Sequence, residues 1–179
     1  MRNHPYNDEI RGVINISDFF DNLRDAAEEG ARILRDQVDV KENDFKKKGV
    51  AFEFQLVAET YHILKNKGYK AGFREGLFLE TNYGGWHVDM VYTDSSGNEH
   101  LVEVKPVRTL KKMCGGLEKG YITKINKDLD KLKELDHKKI SEKILVIGFI
   151  GDNSECEQEE FDKVVRSTIK EGNVKLITC

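Results

Sequence analysis

Proline is nearly absent from this chain: two residues in 179, beside 15 glycines. That excludes collagen-like and proline-rich disordered architectures. Cysteine is scarce as well. Cys114, Cys156 and Cys179 are scattered, odd in number and form no CxxC pair. Neither a zinc knuckle nor a disulfide framework follows from them, and a reducing compartment is the default. No apolar run approaches the ~18 residues that a membrane span requires. The opening stretch, MRNHPYNDEIRG, has no apolar h-region, so the expectation is a cytoplasmic protein without a secretory signal. No GxxxxGKS/T run occurs, which excludes a fused P-loop motor.

What is present is a polar but globular composition, 39% hydrophobic and 34% charged, at a length that suits one domain with a short appendage. The formal charge of −3 conceals an asymmetry. Lys105 to Lys143 carries 12 Lys and Arg against 6 Asp and Glu, so the remainder is acidic. A basic segment within an acidic protein points to a polyanion such as nucleic acid. A lysine-rich solvated helix has the same composition, and charge alone does not separate the two.

Hydrophobic spacing divides the chain into nine elements in the order α, α, β, β, β, α, β, α, β. Ser17 to about Val40 reads as a helix that Gly30 weakens or breaks. Val50 to Lys67 is a second helix, with Phe52, Leu56, Val57, Ile63 and Leu64 on its apolar face and Gly68 as its stop. A strand containing LFLE follows, then a turn over Asn82 to Gly85. His87 to Thr93 and Glu99 to Pro106 alternate as two strands around DSSGN. Leu117 to Asp136 is helical, and KILVIGFI is a buried strand. Glu155 to Glu171 and Val174 to Thr178 supply a last helix and strand. Residues 1–47 form an N-terminal helical appendage in this division, and residues 48–179 the main domain.

The hairpin carries the chemistry. With Gly97 in the left-handed position of a three-residue loop, Asp94 pairs with Asn98. That register sets Asp89 opposite Glu103. Val88, Met90, Tyr92, Val102 and Val104 then share the core face. His87, Asp89, Val91, Leu101, Glu103 and Lys105 share the other. Two carboxylates facing one another on a sheet repel. A bound Mg2+ or Mn2+ removes the repulsion, because hard divalent ions take carboxylate and carbonyl oxygens and retain waters. Asp89 and Glu103 are the candidate ligands, with the backbone carbonyl of Val104. Lys105, two residues beyond Glu103 on the same face, is placed to orient a water or to stabilise charge developing on a phosphate.

Asp89, thirteen residues and then Glu103-Val104-Lys105 resemble the PD-(D/E)XK nuclease superfamily, also called restriction-endonuclease-like. The helix GVAFEFQLVAETYHILKNKGY is similar to the first core helix of Mrr-type endonucleases and archaeal Holliday-junction resolvases, with Gly49, Glu53 and Gly68-Tyr69 at the matching places. Val88 stands where many members have proline. The resemblance covers roughly Lys48 to Ile150. It implies an α/β (α+β) fold with a central mixed sheet flanked by helices, in the order αβββαβ with an αβ extension.

The resemblance also implies a metal-dependent endonuclease that hydrolyses DNA phosphodiester bonds, with Asp89, Glu103, Lys105 and a helix glutamate as catalytic residues. Glu53 and Glu59 compete for the last role, and Glu53 has the Gly49 spacing. Glu80 at the end of the first strand and His87 on the active face are further candidates. Arg108, Lys111 and Lys112 in a basic loop, and Lys124, Lys127 and Lys131 on the non-core face of the next helix, are candidate backbone contacts. DNA is the expected partner, with RNA equally compatible with these residues. A homodimer and a protein partner for targeting are further expectations. The competing class is a non-catalytic binding module on the same fold.

Overall fold

A computed structural model describes residues 16–38, 49–70, 76–83, 85–108, 116–151 and 158–179. The elements are α1 (Ile16–Val38), α2 (Gly49–Asn66), β1 (Gly76–Tyr83), β2 (Trp86–Thr93), β3 (Glu99–Val107), α3 (Lys119–Glu134), β4 (Ile140–Phe149), α4 (Gln158–Thr168) and β5 (Lys175–Thr178). Their order is the one the hydrophobic spacing predicts. β1 runs on to Tyr83, through the residues expected to form a turn, and pairs Tyr83 with Trp86.

The five strands form one mixed sheet in the order β1-β2-β3-β4-β5. β1, β2 and β3 are antiparallel; β3, β4 and β5 are parallel. α1 and α2 cover one face, burying Phe19, Leu23, Leu34, Leu56 and Leu64 against Met90, Tyr92, Val102 and Val104. α3 and α4 cover the other, where Ile125, Leu129, Phe161 and Val165 meet Val91, Leu101, Leu145 and Ile147. Burial on both faces explains why KILVIGFI is continuously apolar.

The register of the central hairpin is the one read from the turn: Met90 pairs with Val102 and Tyr92 with His100. Gly97 takes φ +81°, and Asp94 N donates to the Asn98 carbonyl at 2.9 Å. The Asp94 carboxylate accepts from the N–H groups of Ser96 and Asn98 at 2.8 and 2.9 Å. Burial opposes its charge, but these donors outweigh burial and hold the carboxyl below its ordinary range. Beneath the turn, the fully buried His100 ring has Nδ1 2.9 Å from Glu142 and Nε2 3.6 Å from Asp94. Capping and burial together fix which residues of β2 and β3 face one another.

Two expectations need correction. Val88 joins the α3–α4 side of the core and not the side of Met90 and Tyr92. The β1–β2 register is the same on either side, Leu79↔Met90 and Thr81↔Val88, but the intervening Glu80 takes φ +46°. Gly30 neither ends nor breaks α1. It lies at a close helix crossing, where an added Cβ would meet Thr60 Oγ1 at 3.3 Å and Leu56 Cδ1 at 3.4 Å.

Gly148 of β4 sets the height of α2 above the sheet. A Cβ there would lie 2.7 Å from Leu56 Cδ2, a side chain that is itself fully buried. We expect Gly148→Ala to destabilise the protein by about 1–3 kcal/mol, the usual cost of overpacking a dense core. Chemical denaturation checks this. A neutral or stabilising result would show that α2 is free to shift.

Candidate functional site

β2 and β3 stop pairing at Met90↔Val102. Beyond that point β3 continues to Val107 alongside β4 alone. The strands separate as a fork, and groups from both faces of the sheet converge in it. Asp89 stands at the crotch, where its Oδ2 accepts the Val104 N–H at 2.8 Å in place of a ladder bond. Pro106, which has no N–H to offer, falls where β2 no longer accompanies β3.

Glu103 and Lys105 project from β3 into this fork and are nearly inaccessible, at 2% and 7% exposure. Lys105 Nζ donates to Glu53 Oε1 of α2 at 2.6 Å. It also lies 2.9 Å from Asp128 Oδ2 of α3. One ammonium thus ties together helices that pack on opposite faces of the sheet. On the other side of the fork, Lys131 of α3 meets Glu103 Oε1 and donates to the His87 carbonyl at 2.8 Å. The Asp128 and Glu103 oxygens in these pairs are buried and off the line of a hydrogen bond, so charge more than alignment holds them.

The cluster is electrically unbalanced. Among the described residues, Glu53, Asp89, Glu103 and Asp128 supply four carboxylates, against the two ammoniums of Lys105 and Lys131. Burial and the neighbouring Asp89 charge push Glu103 up to about 8, and Lys131 only partly opposes them. Burial raises Asp89 too, against the Val104 N–H. For Lys105, burial works downward, but Asp128 and Glu53 outweigh it and hold the ammonium at about 12.

The structure brings Glu53, Asp89, Glu103 and Lys105 together, as the sequence motif implies. It separates Glu59, which lies by Gly30 at the α1 crossing. Glu80 is exposed on β1, and the exposed His87 meets the cluster through its carbonyl, not its ring. Lys111 and Lys112 lie outside the described residues. Lys124 and Lys127 are exposed on α3 as expected, but Lys131 is turned inward onto Glu103. Asp128 was not among the expected site residues. Its signal was its place three residues before Lys131, beside the apolar stripe of Ile125, Leu129 and Leu132.

A cleft of about 310 Å³ opens at Lys105 between the N-terminal ends of α2 and α3. Arg108, Lys124 and Tyr121 line it, and the Arg108 guanidinium lies over the Phe52 ring at 5.5 Å. Among the described residues no group of three or more His, Cys, Asp or Glu forms a ready metal cage. The donor chemistry nonetheless fits a hard divalent cation. Asp89 and Glu103 are adjacent carboxylates with an excess of negative charge between them. Mg2+ characteristically takes only one or two protein carboxylates and keeps its waters.

No family model and no curated protein matches this chain. Among solved structures, Pyrococcus furiosus SfsA in complex with Ca2+ is similar over 74% of this chain and 56% of that one, at 13% identity and a TM-score of 0.31. The chain therefore spans little more than half the length of that protein. Among the described residues no helix is long and apolar enough to cross a membrane.

The displaced Glu103 has a measurable consequence. Its carboxyl releases its proton near 4.5 when unfolded but only near 8 when folded. The folded protein therefore binds the extra proton between those values. Stability from this source is complete below about pH 4.5, falls as pH rises, and is gone above about pH 8. Asp89 acts in the same direction. In metal-free buffer, Glu103→Gln should remove most of this slope in denaturation curves recorded across that range. An unchanged slope would place the proton elsewhere.

Proposed function

We propose that this protein is a divalent-metal-dependent nuclease that hydrolyses DNA phosphodiester bonds. The observation that carries the reading is the fork itself: the neighbouring buried carboxyl groups of Asp89 and Glu103, and a fixed lysine two residues along β3. In this reading Asp89 and Glu103 hold the cation, with the Val104 carbonyl beside them. The bound ion supplies a water of lowered pKa and offsets charge on the attacked phosphate.

The other roles follow from the side chains. Lys105 stays cationic through any working pH, being held near 12. It therefore serves as a charge partner for the developing phosphorane and its water, and not as a general base. Glu53 and Asp128 keep its ammonium at one point, so little reorganisation accompanies the reaction. Glu53 is the more exposed of these two carboxylates and borders the cleft, where it can meet the attacking water. Arg108 and Lys124 line that cleft and neutralise phosphates flanking the scissile one.

Single-turnover cleavage by the full chain, with Mg2+ or Mn2+ and with chelator, tests the proposal on supercoiled, linear and branched DNA and on RNA. Metal-dependent cutting of DNA is the expected result. Lys105→Ala should slow the saturated rate about 100-fold or more, the usual loss for one preorganised electrostatic donor. Lys105→Arg should not restore it, because a planar fork does not replace a compact ammonium between two fixed carboxylates. Lys124→Ala should instead weaken binding and lower its salt dependence. If the wild type binds nucleic acid but cuts nothing with metal present, the fold serves as a binding module. Cleavage confined to RNA would change the substrate and leave the site unaltered.

A further inference from the structure

The two lysines of the fork are held unequally. Lys105 has carboxylates on two sides, Glu53 and Asp128. Lys131 has one carboxylate, Glu103, and one neutral partner, the His87 carbonyl at 2.8 Å. Its side chain is only 10% exposed, unusual for a lysine that sequence spacing places on the solvent side of α3. Its ammonium rests on a carboxylate oxygen of Glu103, one of the two proposed cation ligands. Lys131 also lines a groove of about 450 Å³ with Trp86, Asn126, Lys127 and Asp130. The side chain thus has open space beside it.

We propose that Lys131 is an internal counter-cation: it occupies the cation seat on Glu103 while metal is absent and swings into the Trp86 groove when a divalent ion binds. This rests on the metal reading of Asp89 and Glu103 and adds a regulator to it. Without a counter-charge, Glu103 and Asp89 would be two carboxylates buried side by side, which is costly. The ammonium supplies that charge from the protein itself. A divalent ion carries more charge and takes both carboxylates at once, but like charges at contact distance in a shielded site repel strongly. Both cannot hold Glu103. The displaced ammonium then joins Lys127 in the groove, beside Asp130 and Glu134, and adds positive charge to the face that a phosphate backbone would meet. Metal loading and nucleic-acid affinity are thereby coupled through one side chain.

Removing the internal competitor must strengthen metal binding. Calorimetric titration with Mg2+ and with Mn2+, on the full chain, should show Lys131→Gln binding on the order of tenfold tighter than wild type or more. Lys131→Arg keeps the charge and should stay close to wild type. Lys138→Gln, an exposed turn lysine at the other end of β3 and β4, controls for net charge. A second measurement needs no variant. Acylation of lysine amines, read by mass spectrometry on the wild type, should find Lys131 protected without metal and on the order of tenfold more reactive in saturating Mg2+, while Lys138 is unchanged.

Equal or weaker metal binding by Lys131→Gln overturns the inference, as does continued protection of Lys131 at saturating Mg2+. In both cases the metal site of the wild type stands. If neither wild type nor Lys131→Gln binds Mg2+ or Mn2+, the metal reading itself falls and this inference falls with it.

Discussion

The arrangement at the fork depends on one constraint: among the described residues, four carboxylates, three of them largely buried, are answered by two ammoniums. Buried charges without partners cost several kcal/mol each, so every neighbouring feature works to limit that cost. β2 and β3 part at Met90↔Val102, which frees the Val104 N–H to serve Asp89. α2 approaches closely enough, over Gly148, to deliver Glu53 to Lys105. α3 delivers Asp128 and Lys131 from the other face. Asp89 and Glu103 are then left short of counter-charge, and Glu103 holds its proton up to about 8. A structural ion-pair network would gain stability by closing that gap. A site for a cation must leave it open.

Much of this was legible in the chain. The 94–98 turn fixed the hairpin register because Asp94, Gly97 and Asn98 are the residue types that a tight loop with a left-handed position requires. The register runs as far as Met90↔Val102, one pair short of the expected Asp89 opposite Glu103, and these carboxyl groups meet instead in the fork where the strands part. The preference for Glu53 over Glu59 came from its spacing to Gly49, and Lys105 meets Glu53. What the chain concealed was long-range. Val88 lies on the opposite side from Met90 although the β1–β2 register is unbroken, and hydrophobic spacing carries no sign of it. Gly30 read as a helix breaker because its reason for being small lies in another helix. Lys131 read as a backbone contact and Asp128 drew no reading, because both reach the site only where β2 has parted from β3.

The same geometry separates what is fixed from what is free. Lys105, between two carboxylates from opposite layers, is locked by the packing of the whole sheet. Lys131 is attached to one helix and one carboxylate, with a groove beside it. Preorganised electrostatics requires the first kind of group, and exchange with a ligand requires the second. Both are lysines, and both lie close to Glu103. Their difference in partners, and not in chemistry, assigns their tasks.

A crystal structure determined with Mn2+ tests the central claim most directly. The account predicts an anomalous peak between the carboxylates of Asp89 and Glu103, with Lys105 still on Glu53 and Asp128 and the Lys131 ammonium withdrawn from Glu103. A fully occupied Lys131–Glu103 pair at saturating Mn2+, with no peak between Asp89 and Glu103, would contradict it.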